Sequence, residues 1–594
     1  MTKPRPFVNS AELLPPGPLR NVYQLVSPLV ERACGFHILN RIYAQLQSPD
    51  MTPERFCEEA LRLLDAKVEW PTDAALAPLR AWQGPLVIMA NHPFGGTEAL
   101  AFMLLLERIR PGKWRMLANR VLAPINELAS RLIPVDPFVR SKSENHPGIR
   151  DALRFLKGGG LLGAFPAGRV SGWSATHRCV LDEPWSDHPA RLAAATGAAI
   201  VLVHVPGSNG SFFLKVPMKW PRFRALFLPG EMIRSNKPAV NFRIGPVMDP
   251  TVVTGLVRAE NAGAKLRARC HLISEIQPLP ESSPKPEPPE IAPPGDTAAL
   301  CEDAARLASG ATFLFEQGQF TALLFQKHEG PHLFHELSRL REFTFRASGQ
   351  GGGAAVDVTP EDDCYHQLVL WDREQKRIVG AYRLGFTEDV LREHGPDALY
   401  LNHVFHIARE FFQRIGPAIE LTRSFIHPDY QREPLVLAIL WRGLGMTVAA
   451  RPEIRSFFGS VTIPATVSDA SRVVIVEHLR RHHLEDPALC DFIRPRTAFS
   501  APGIAHKLIA DAHSGNGIES LRDCIRASDG TPRGIPPLIR HYLSMNGRFI
   551  DFHVEREFGN ALYCLLRVDL TKAPLTHLRR FVGEKSAARL HSVA

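Results

Sequence analysis

The 594-residue chain contains no run of 18 or more apolar residues without a charge, so no transmembrane helix is expected. Its first residues lead into a proline-rich stretch rather than an apolar signal segment, which speaks against conventional secretion. The nine cysteines lie far apart and include no C-x-x-C pair. Neither a disulfide framework nor a structural metal site is therefore expected, and a reducing cytoplasm is the predicted location.

What is present is ordinary globular material with an uneven charge. Apolar residues make up 45% of the chain and charged residues 22%, which excludes a disordered or fibrous protein. The formal net charge of +9 divides into +12 over residues 1–276 and −3 over the remainder. The basic first part predicts a surface for an anionic partner: a phospholipid leaflet, an acidic carrier protein or nucleic acid.

One segment predicts the domain boundary. Residues 278–294 contain eight prolines in 17 residues, which removes the backbone donors that regular structure needs. We expect a linker over 277–296, between a domain at 1–276 and a second domain at 297–594.

Apolar patterning predicts the fold class of each part. In the first part, strand-like runs at 85–90, 161–165 and 199–205 alternate with a helical run at 98–107, which indicates an α/β domain. In the second part, two apolar runs, 366–371 and 377–384, flank a charged turn and predict a β-hairpin.

A helical stretch at 434–444 follows the hairpin, so the second part is expected to be α+β.

The motif Asn91–Glu98, Asn-His-Pro-Phe-Gly-Gly-Thr-Glu, begins where the first strand-like run ends. A histidine after a strand, a glycine turn and a carboxylate opening a helix suit general-base chemistry, with Glu98 orienting the imidazole of His92. The alternative is a turn histidine followed by a helix-capping acid, and spacing alone does not separate the two.

Two further motifs, Phe-Pro-Ala-Gly-Arg-Val-Ser at 165–171 and Ile-Pro-Val-Asp-Pro at 133–137, stand at the spacing of the glycerophosphate acyltransferase superfamily, which residues 70–250 resemble. The family motif is H-x4-D, but here Thr97 holds the aspartate position and Glu98 follows it. Ala167 replaces the usual glutamate of the third motif. The chain is therefore similar to the divergent subgroup that acylates lyso-ornithine lipids.

This resemblance implies an α/β fold and a set of site residues. His92 and Glu98 are the implied catalytic pair. Ala167 offers no side-chain hydrogen bond, which disfavours a lysophosphatidate acceptor. Arg169 is a candidate for binding a carboxylate or phosphate, with a solvated surface arginine as the alternative. The implied substrate-binding residues are Asn91, Gly95, Gly96, Pro166, Gly168 and Arg169.

Residues 212–227 interleave basic and aromatic side chains. Basic groups attract anionic headgroups and aromatic rings settle among them, so the segment is a candidate membrane contact. The alternative is that the aromatics fill the core while the basic residues face water. No nucleic-acid motif accompanies the segment, so nucleic acid is not expected as a partner.

In the second part, the string Glu-Leu-Thr-Arg-Ser-Phe-Ile-His-Pro-Asp-Tyr-Gln at 420–431, together with several shorter motifs, resembles the ornithine N-acyltransferases, relatives of the acyl-homoserine-lactone synthases and of the GNAT fold. The resemblance covers about residues 315–570, and the string at 420–431 is its most specific element. The other matching segments are 361–366, 440–443, 457–460, 536–540 and 558–560.

Amide formation needs a neutral amine, so a carboxylate near the acceptor can bind the ammonium and help to remove its proton. Asp363 and Glu420 are the catalytic candidates. Arg383 and Arg423 are expected to hold these carboxylates or to bind an acceptor carboxylate. The alternative is a structural ion-pair network.

The expected acyl donor is acyl carrier protein. GNAT domains that bind coenzyme A follow a similar string with a glycine-rich loop that cradles the pyrophosphate. Residues 431–435, Gln-Arg-Glu-Pro-Leu, contain no glycine, so acyl-CoA is the less favoured donor. No bound cofactor or metal is expected.

Together the two parts resemble bifunctional ornithine lipid synthases. The resemblance implies N-acylation of an amino acid, normally ornithine, by the second domain and O-acylation of the product by the first, at the inner face of a bacterial cytoplasmic membrane. The alternatives are that one half alone is active, as a lysophospholipid acyltransferase, or that both are non-catalytic binding modules.

Overall fold

The computed structural model divides the chain into two compact units. The first comprises Met1–Gln277 and Ala501–Gly534, and the second comprises Pro278–Ser500 and Ile535–Ala594. The described residues are 18–135, 146–218, 221–234, 237–258, 261–275, 289–348, 350–464, 467, 469–499, 504, 507–508, 521–522, 525, 535–555 and 560–592.

The first segment of the first unit ends at Gln277, which is the first residue of the predicted linker. The predicted bounds of the linker and of the second domain stay predictions. Residues 277–288 of the linker, 136–137 of the Ile-Pro-Val-Asp-Pro motif and 558–559 lie outside the described residues.

The first unit alternates helices and strands. In chain order its elements are α1 Pro18–Ala33, α2 Phe36–Leu46, α3 Pro53–Leu63, β1 Val68–Glu69, α4 Asp73–Ala81, β2 Leu86–Ala90, α5 Gly96–Ile109, β3 Trp114–Asn119, β4 Leu132–Val135, α6 His146–Lys157, β5 Leu161–Ala164, β6 Gly172–Ser174, β7 Cys179–Leu181, α7 His188–Thr196, β8 Ala199–His204, α8 Ser211–Lys215, α9 Pro221–Ala225, α10 Leu228–Ile233, β9 Val240–Asn241, β10 Arg243–Ile244, α11 Pro250–Arg258 and α12 Ala262–Glu275.

The described part of the first unit is built on a sheet with strand order β10-β8-β2-β5-β3-β4. Its strands pair in parallel apart from β10, which pairs antiparallel with β8. In β2, Leu86, Ile88 and Ala90 pack into one apolar cluster while Val87 and Met89 pack into another. The central strand is therefore buried on both faces, which explains its uninterrupted apolar run.

The second unit mixes long strands with helices. In chain order its elements are α13 Thr297–Ala308, β11 Phe313–Gln317, β12 Phe320–Gln326, α14 Pro331–Ala347, β13 His366–Asp372, β14 Arg377–Phe386, α15 Thr387–Glu393, α16 Leu401–Val404, β15 Phe405–Ile407, α17 Arg409–Ile415, β16 Ala418–Ile426, α18 Pro434–Ala450, β17 Ser456–Ile463, α19 Asp469–His482, α20 Pro487–Cys490, β18 Ile493–Pro495, α21 Pro537–Ser544, β19 Arg548–Glu555, β20 Ala561–Asp569 and α22 Leu575–His591.

The main sheet of the described second unit runs β11-β12-β13-β14-β16-β17-β20-β19. Its neighbours pair antiparallel, except that β16 and β17 run parallel. The predicted hairpin is β13–β14. Its turn forms because Oδ1 of Asp372 accepts the N–H groups of Glu374 and Gln375, both at 2.9 Å.

The secondary structure predicted from apolar patterning is confirmed. The strand-like runs at 85–90, 161–165 and 199–205 are β2, β5 and β8, and the helical run at 98–107 lies within α5. The stretch at 434–444 opens α18. Among the described residues, no helix combines the length and the apolar character needed to cross a bilayer.

Two helical glycines give a paired test of packing. A Cβ at Gly445 in α18 would lie 2.0 Å from the carbonyl oxygen of Phe581 in α22, whereas a Cβ at Gly255 in α11 would meet no atom within 4 Å. We expect Gly445→Ala to lower the melting temperature, because a backbone atom cannot give way. Gly255→Ala should stabilise its unit by about 0.5–1 kcal/mol through helix propensity. Calorimetric unfolding measures both, and an unchanged Gly445→Ala variant would contradict the close packing of α18 on α22.

Candidate active sites

The Asn91–Glu98 motif lies in the loop between β2 and α5, at the carboxyl end of a parallel strand. Strands β5 and β8 flank β2, so the chain leaving each of them reaches the same edge of the sheet. Open α/β sheets bind ligands at this edge. The topology thus brings the first and third motifs together.

Asn91 holds two strand ends together. Its side-chain Nδ2 donates to the carbonyl of Val205 at 2.8 Å, and its Oδ1 accepts the N–H of Val205 at 2.6 Å. The residue is buried. Asn91 was a candidate for substrate binding, but this reciprocal pair commits its amide to joining the loops after β2 and β8.

His92 and Glu98 are in contact, as the spacing suggested. Nδ1 of His92 lies 2.8 Å from Oε1 of Glu98, and the glutamate is fully buried. The same Oε1 accepts the N–H groups of Phe94 at 2.9 Å and Gly95 at 2.7 Å. Glu98 therefore caps the turn before α5 and faces the imidazole at once, while general-base chemistry at His92 stays a prediction.

The two glycines permit this turn. Gly95 has φ 102° and ψ −98°, a conformation that side chains rarely allow. At Gly96, a Cβ would lie 2.4 Å from the Sδ and Cε of Met232 in α10. Both glycines serve to shape and pack the loop, and through it they set the position of His92.

The other side of the His92 loop is fixed by Asp182, which sequence reasoning missed. Its Oδ1 accepts the backbone N–H of His92 at 3.2 Å and the hydroxyl of Ser171. Its Oδ2 accepts the indole N–H of Trp185 at 2.8 Å. Asp182 follows β7 as one acid among many in the sequence, and no motif distinguishes it.

The third motif forms a turn beside the histidine. Phe165 stacks on the imidazole of His92 with ring centroids 4.1 Å apart, and the N–H of Gly168 donates to the carbonyl of Phe165 at 2.9 Å. The carbonyl of Pro166 accepts from the N–H of Ser186 at 3.0 Å. Pro166 and Gly168 thus place the aromatic wall of the site.

Arg169 forms an ion pair. Its Nη1 lies 2.6 Å from Oε2 of Glu183, and both side chains are partly buried. A role in binding an anionic acceptor stays a prediction, and it would require the arginine to share or leave this carboxylate. Ala167 packs against the apolar cluster on one face of the sheet.

The basic and aromatic residues of 212–227 divide between core and surface. Phe213 is buried, and the guanidinium of Arg224 lies over its ring while donating to the carbonyls of Val170 and Ser171. Phe212 and Phe223 are 64% and 49% exposed. The described aromatic side chains of the segment are therefore partly buried and partly exposed, and membrane contact stays a prediction.

In the second unit, Glu420 is buried at the centre of the sheet on β16. Its oxygens accept the N–H of Leu401 at 2.7 Å, the N–H of Tyr400 at 3.2 Å and the hydroxyl of Tyr365. Burial raises the pKa of Glu420 from 4.5 to about 7, against the opposing effect of these hydrogen bonds.

Arg383 on β14 is one of the buried arginines near Glu420. Its Nε donates to Oγ1 of Thr422 at 3.0 Å, its Nη1 donates to Oγ1 of Thr359 at 2.6 Å, and Nη1 also lies 3.3 Å from Oδ1 of Asp362. The side chain is fully buried. Asp362 is shared with a second buried arginine, Arg341, at 3.0 Å.

The structure does not bring Asp363 to this cluster. The side chain is 71% exposed and pairs with Lys327 at 2.7 Å. The 3₁₀ turn Pro360–Asp363 directs Glu361 and Asp362 inward instead. The sequence signal was the run of three acids, and it could not tell which of them faces Arg383.

Arg423 completes the cluster. It adopts φ 48°, a left-handed conformation that costs a non-glycine residue about 1 kcal/mol or more. Its Nε donates to Oδ2 of Asp357 at 2.8 Å and its guanidinium lies 4.7 Å from the ring of Tyr400. Arg383, Glu420 and Arg423 therefore meet around Tyr400, which sequence reasoning did not identify.

The cluster lies where two parallel strands separate. β16 and β17 pair from Ala418 and Ser456 as far as Leu421 and Gly459. Beyond that point β16 continues beside β14 and β17 continues beside β20. The two strands therefore separate after Leu421 and Gly459. Among the described residues, no group of three or more metal-ligating side chains is found.

Comparison with known proteins defines the class of the second unit. Residues 340–442 match the family model of the acetyltransferase (GNAT) domain. The match extends from α14 into α18 and includes Arg383, Glu420 and Arg423. The second unit therefore contains a GNAT acyltransferase domain, and these three residues lie inside it.

Individual relatives are similar over parts of the chain. The glycine N(alpha)-acyltransferase of Bacteroides thetaiotaomicron is 29% identical over 269 residues, which is 42% of this chain and 79% of that protein. That of Phocaeicola vulgatus is 29% identical over 249 residues, 39% of this chain and 72% of the relative. The lyso-glycine lipid O-acyltransferase of Phocaeicola vulgatus is 26% identical over 197 residues, 32% of this chain and 67% of the relative.

The raised pKa of Glu420 predicts how stability depends on pH. An acid with a pKa of about 7 when folded and 4.5 when unfolded favours folding only while protonated. Its contribution is therefore greatest below pH 4.5 and is lost as the pH rises to about 7, at a cost of about 3 kcal/mol. The free energy of unfolding of Glu420→Gln should not fall in this way over the same pH range, because glutamine does not titrate.

Urea unfolding of the wild type and Glu420→Gln across this pH range measures the difference. The exposed Glu410→Gln serves as the control and should follow the wild type. Parallel curves for wild type and Glu420→Gln would show that Glu420 titrates as an ordinary carboxylate.

Proposed function

We propose that this chain is a bifunctional acyltransferase that makes a diacylated aminolipid. The second unit would N-acylate an amino acid with a 3-hydroxyacyl group, and the first unit would then O-acylate that hydroxyl. The similarity to relatives named for both kinds of reaction carries the proposal. A buried carboxylate held by two backbone N–H groups lies at the centre of each candidate site, which supports two separate reactions.

In the first unit, His92 would act as the base. Because Nδ1 faces Glu98 at 2.8 Å, Nε2 is the nitrogen left to take the proton of the lyso-lipid hydroxyl. The hydroxyl oxygen then attacks the thioester carbonyl, the carbon–sulfur bond breaks, and the imidazolium returns its proton to the departing thiolate. Glu98 stabilises the charged imidazolium between these steps.

In the second unit, the separation of β16 from β17 supports binding of an extended thioester arm between them, because strand backbone can hydrogen-bond to its amides. Glu420 and Arg423 lie on β16 on either side of the last paired residue, Leu421, and Arg383 lies on the neighbouring strand β14. The α-amino acid would bind beside them, with its carboxylate toward an arginine.

Two amino acids are the leading acceptors. The resemblance of the sequence to ornithine N-acyltransferases favours ornithine, whereas the relatives found by comparison are named for glycine. The buried carboxylates described in the second unit are paired with arginines or donors. The acceptor is therefore proposed as an α-amino acid, and the labelling experiment below distinguishes ornithine from glycine.

Acyl carrier protein is the proposed donor for both units. The stretch before α18, residues 431–433, carries no glycine with which to cradle a pyrophosphate. Carrier proteins present the same phosphopantetheine thioester without a free nucleotide.

We also propose that the first unit acts at the anionic inner face of a bacterial cytoplasmic membrane. Leu25 and Leu29 on α1 are 82% and 74% exposed, and Phe212 and Phe223 are exposed on α8 and α9. Exposed apolar side chains on a basic unit suit peripheral contact with anionic lipid.

Expression in a host that lacks aminolipids tests the proposal. Cells would receive labelled ornithine, lysine and glycine in parallel, and their lipids would be analysed by mass spectrometry. A new lipid with two acyl groups and one of the three labels is the expected result. The absence of any new lipid, with the protein present, would overturn the proposal and favour a lysophospholipid acyltransferase or a binding module.

His92→Ala separates the two reactions. The diacylated lipid should fall by at least about 100-fold, because general-base catalysis contributes this much. The monoacylated lyso-lipid should accumulate, since the second unit is untouched. The exposed His188→Ala in the same unit is the matched control and should leave both lipids at wild-type levels. Persistence of the diacylated lipid in His92→Ala would show that His92 is not the base.

A further inference from the structure

A second histidine–glutamate pair lies in the GNAT unit. His403 on the short helix α16 has its Nε2 at 3.0 Å from Oε1 of Glu361. The imidazole is 58% exposed, whereas the glutamate is 5% exposed. An exposed imidazole with a buried carboxylate behind it has the arrangement that orients a general base.

Glu361 is itself held in place. Its Oε2 accepts the hydroxyl of Thr359 and lies 3.6 Å from Nη1 of Arg383. A carboxylate fixed in this way accepts the proton on Nε2 of His403, so the neutral imidazole keeps Nδ1 as its acceptor nitrogen.

His403 lies at the edge of the site already described. Its ring contacts that of Tyr400, with centroids 6.5 Å apart. Tyr400 in turn lies between Arg383, at 5.4 Å, and Arg423, at 4.7 Å. The imidazole is thus one side chain away from Arg383 and Arg423.

The other carboxylates of the cluster are already occupied. Glu420 accepts three donors, Asp362 accepts Arg341 and Arg383, and Asp357 accepts Arg423. All are buried or nearly so. A base must come within hydrogen-bond reach of the proton that it takes, and the exposed imidazole of His403 is open to a substrate.

We propose that His403 is the base that takes the proton from the acceptor amine during N-acylation, with Glu361 as its positioning residue. This assignment rests on the proposed function of the second unit. The α-ammonium gives one proton to Nδ1 of His403, and the amine nitrogen attacks the thioester carbonyl carbon. The carbon–sulfur bond breaks as the amide forms, a second proton passes from nitrogen to the departing sulfur, and the imidazolium releases its proton to solvent.

The charged groups around His403 come from several elements. The turn Pro360–Asp363 supplies Glu361 and Asp362, β14 supplies Arg383, and β16 supplies Glu420. Arg496, beyond β18, donates to the carbonyl of Asn402 at 2.8 Å. The carboxylate adjoining the ring stabilises the imidazolium that proton transfer creates.

The test compares His403→Gln with wild type in the full-length protein. The assay uses a 3-hydroxyacyl-loaded acyl carrier protein and the amino acid that the wild type accepts. We expect kcat/KM for N-acylation at pH 7 to fall about 100-fold. The loss should shrink by roughly tenfold per pH unit toward pH 9, because the variant depends on amine already deprotonated in solution. O-acylation of supplied lyso-lipid should be unchanged.

Two further variants complete the design. His406→Gln alters an exposed histidine three residues along and should behave as wild type. Glu361→Gln should show the same pH-dependent loss as His403→Gln, because it leaves the imidazole without its partner. Circular dichroism and the retained O-acylation show whether each variant is folded.

Each other outcome has a definite meaning. A loss in His403→Gln that is equal at pH 7 and pH 9 would show a structural role and overturn the assignment. An unchanged rate would overturn it as well, while the proposed function stands. A wild type that forms no N-acyl product from any amino acid would overturn the proposed function and the assignment with it.

Discussion

Both candidate sites depend on a fully buried carboxylate that accepts two consecutive backbone N–H groups. Glu98 accepts those of Phe94 and Gly95, and Glu420 accepts those of Tyr400 and Leu401. An unpaired buried charge is prohibitively costly, so each carboxylate fixes the path of the chain that satisfies it. In the first unit that chain carries His92, and in the second it leads into α16.

The same requirement explains why the second site is so densely charged. Arg341 and Arg383 are buried beside Asp362, and each of these charged side chains depends on its ion pairs with the others. Removing one member of such a network leaves a buried charge without its partner, which is far more costly than the network is stabilising. Arg423 adds a left-handed backbone to these constraints and is held by Asp357. The charged groups at the centre of the cluster are therefore buried and paired, while His403 at its edge is exposed.

The departures of the first motif from the H-x4-D pattern that it resembles also have a structural basis. Helix α5 begins at Gly96, so Glu98 is its third residue and can reach back to the N–H groups of the preceding turn. Thr97, at the usual aspartate position, is buried beside it. The longer glutamate side chain lets the acid stand one residue later and still contact the imidazole.

Sequence alone determined the strands, the main helices and the hairpin, because apolar periodicity reflects which faces a strand or helix must bury. It also determined the His92–Glu98 pair, since both residues belong to one short turn. Tertiary structure decided the contacts between residues that are distant in the chain. These are the hydrogen bond from the backbone N–H of His92 to Asp182, the ion pair of Arg169 with Glu183 and the hydrogen bonds of Asn91 with Val205. Tertiary structure also decided that Glu361 and Asp362, rather than Asp363, face the interior of the GNAT site. These choices rest on contacts between residues far apart in the chain, and on the rotation of one turn, which local sequence does not encode.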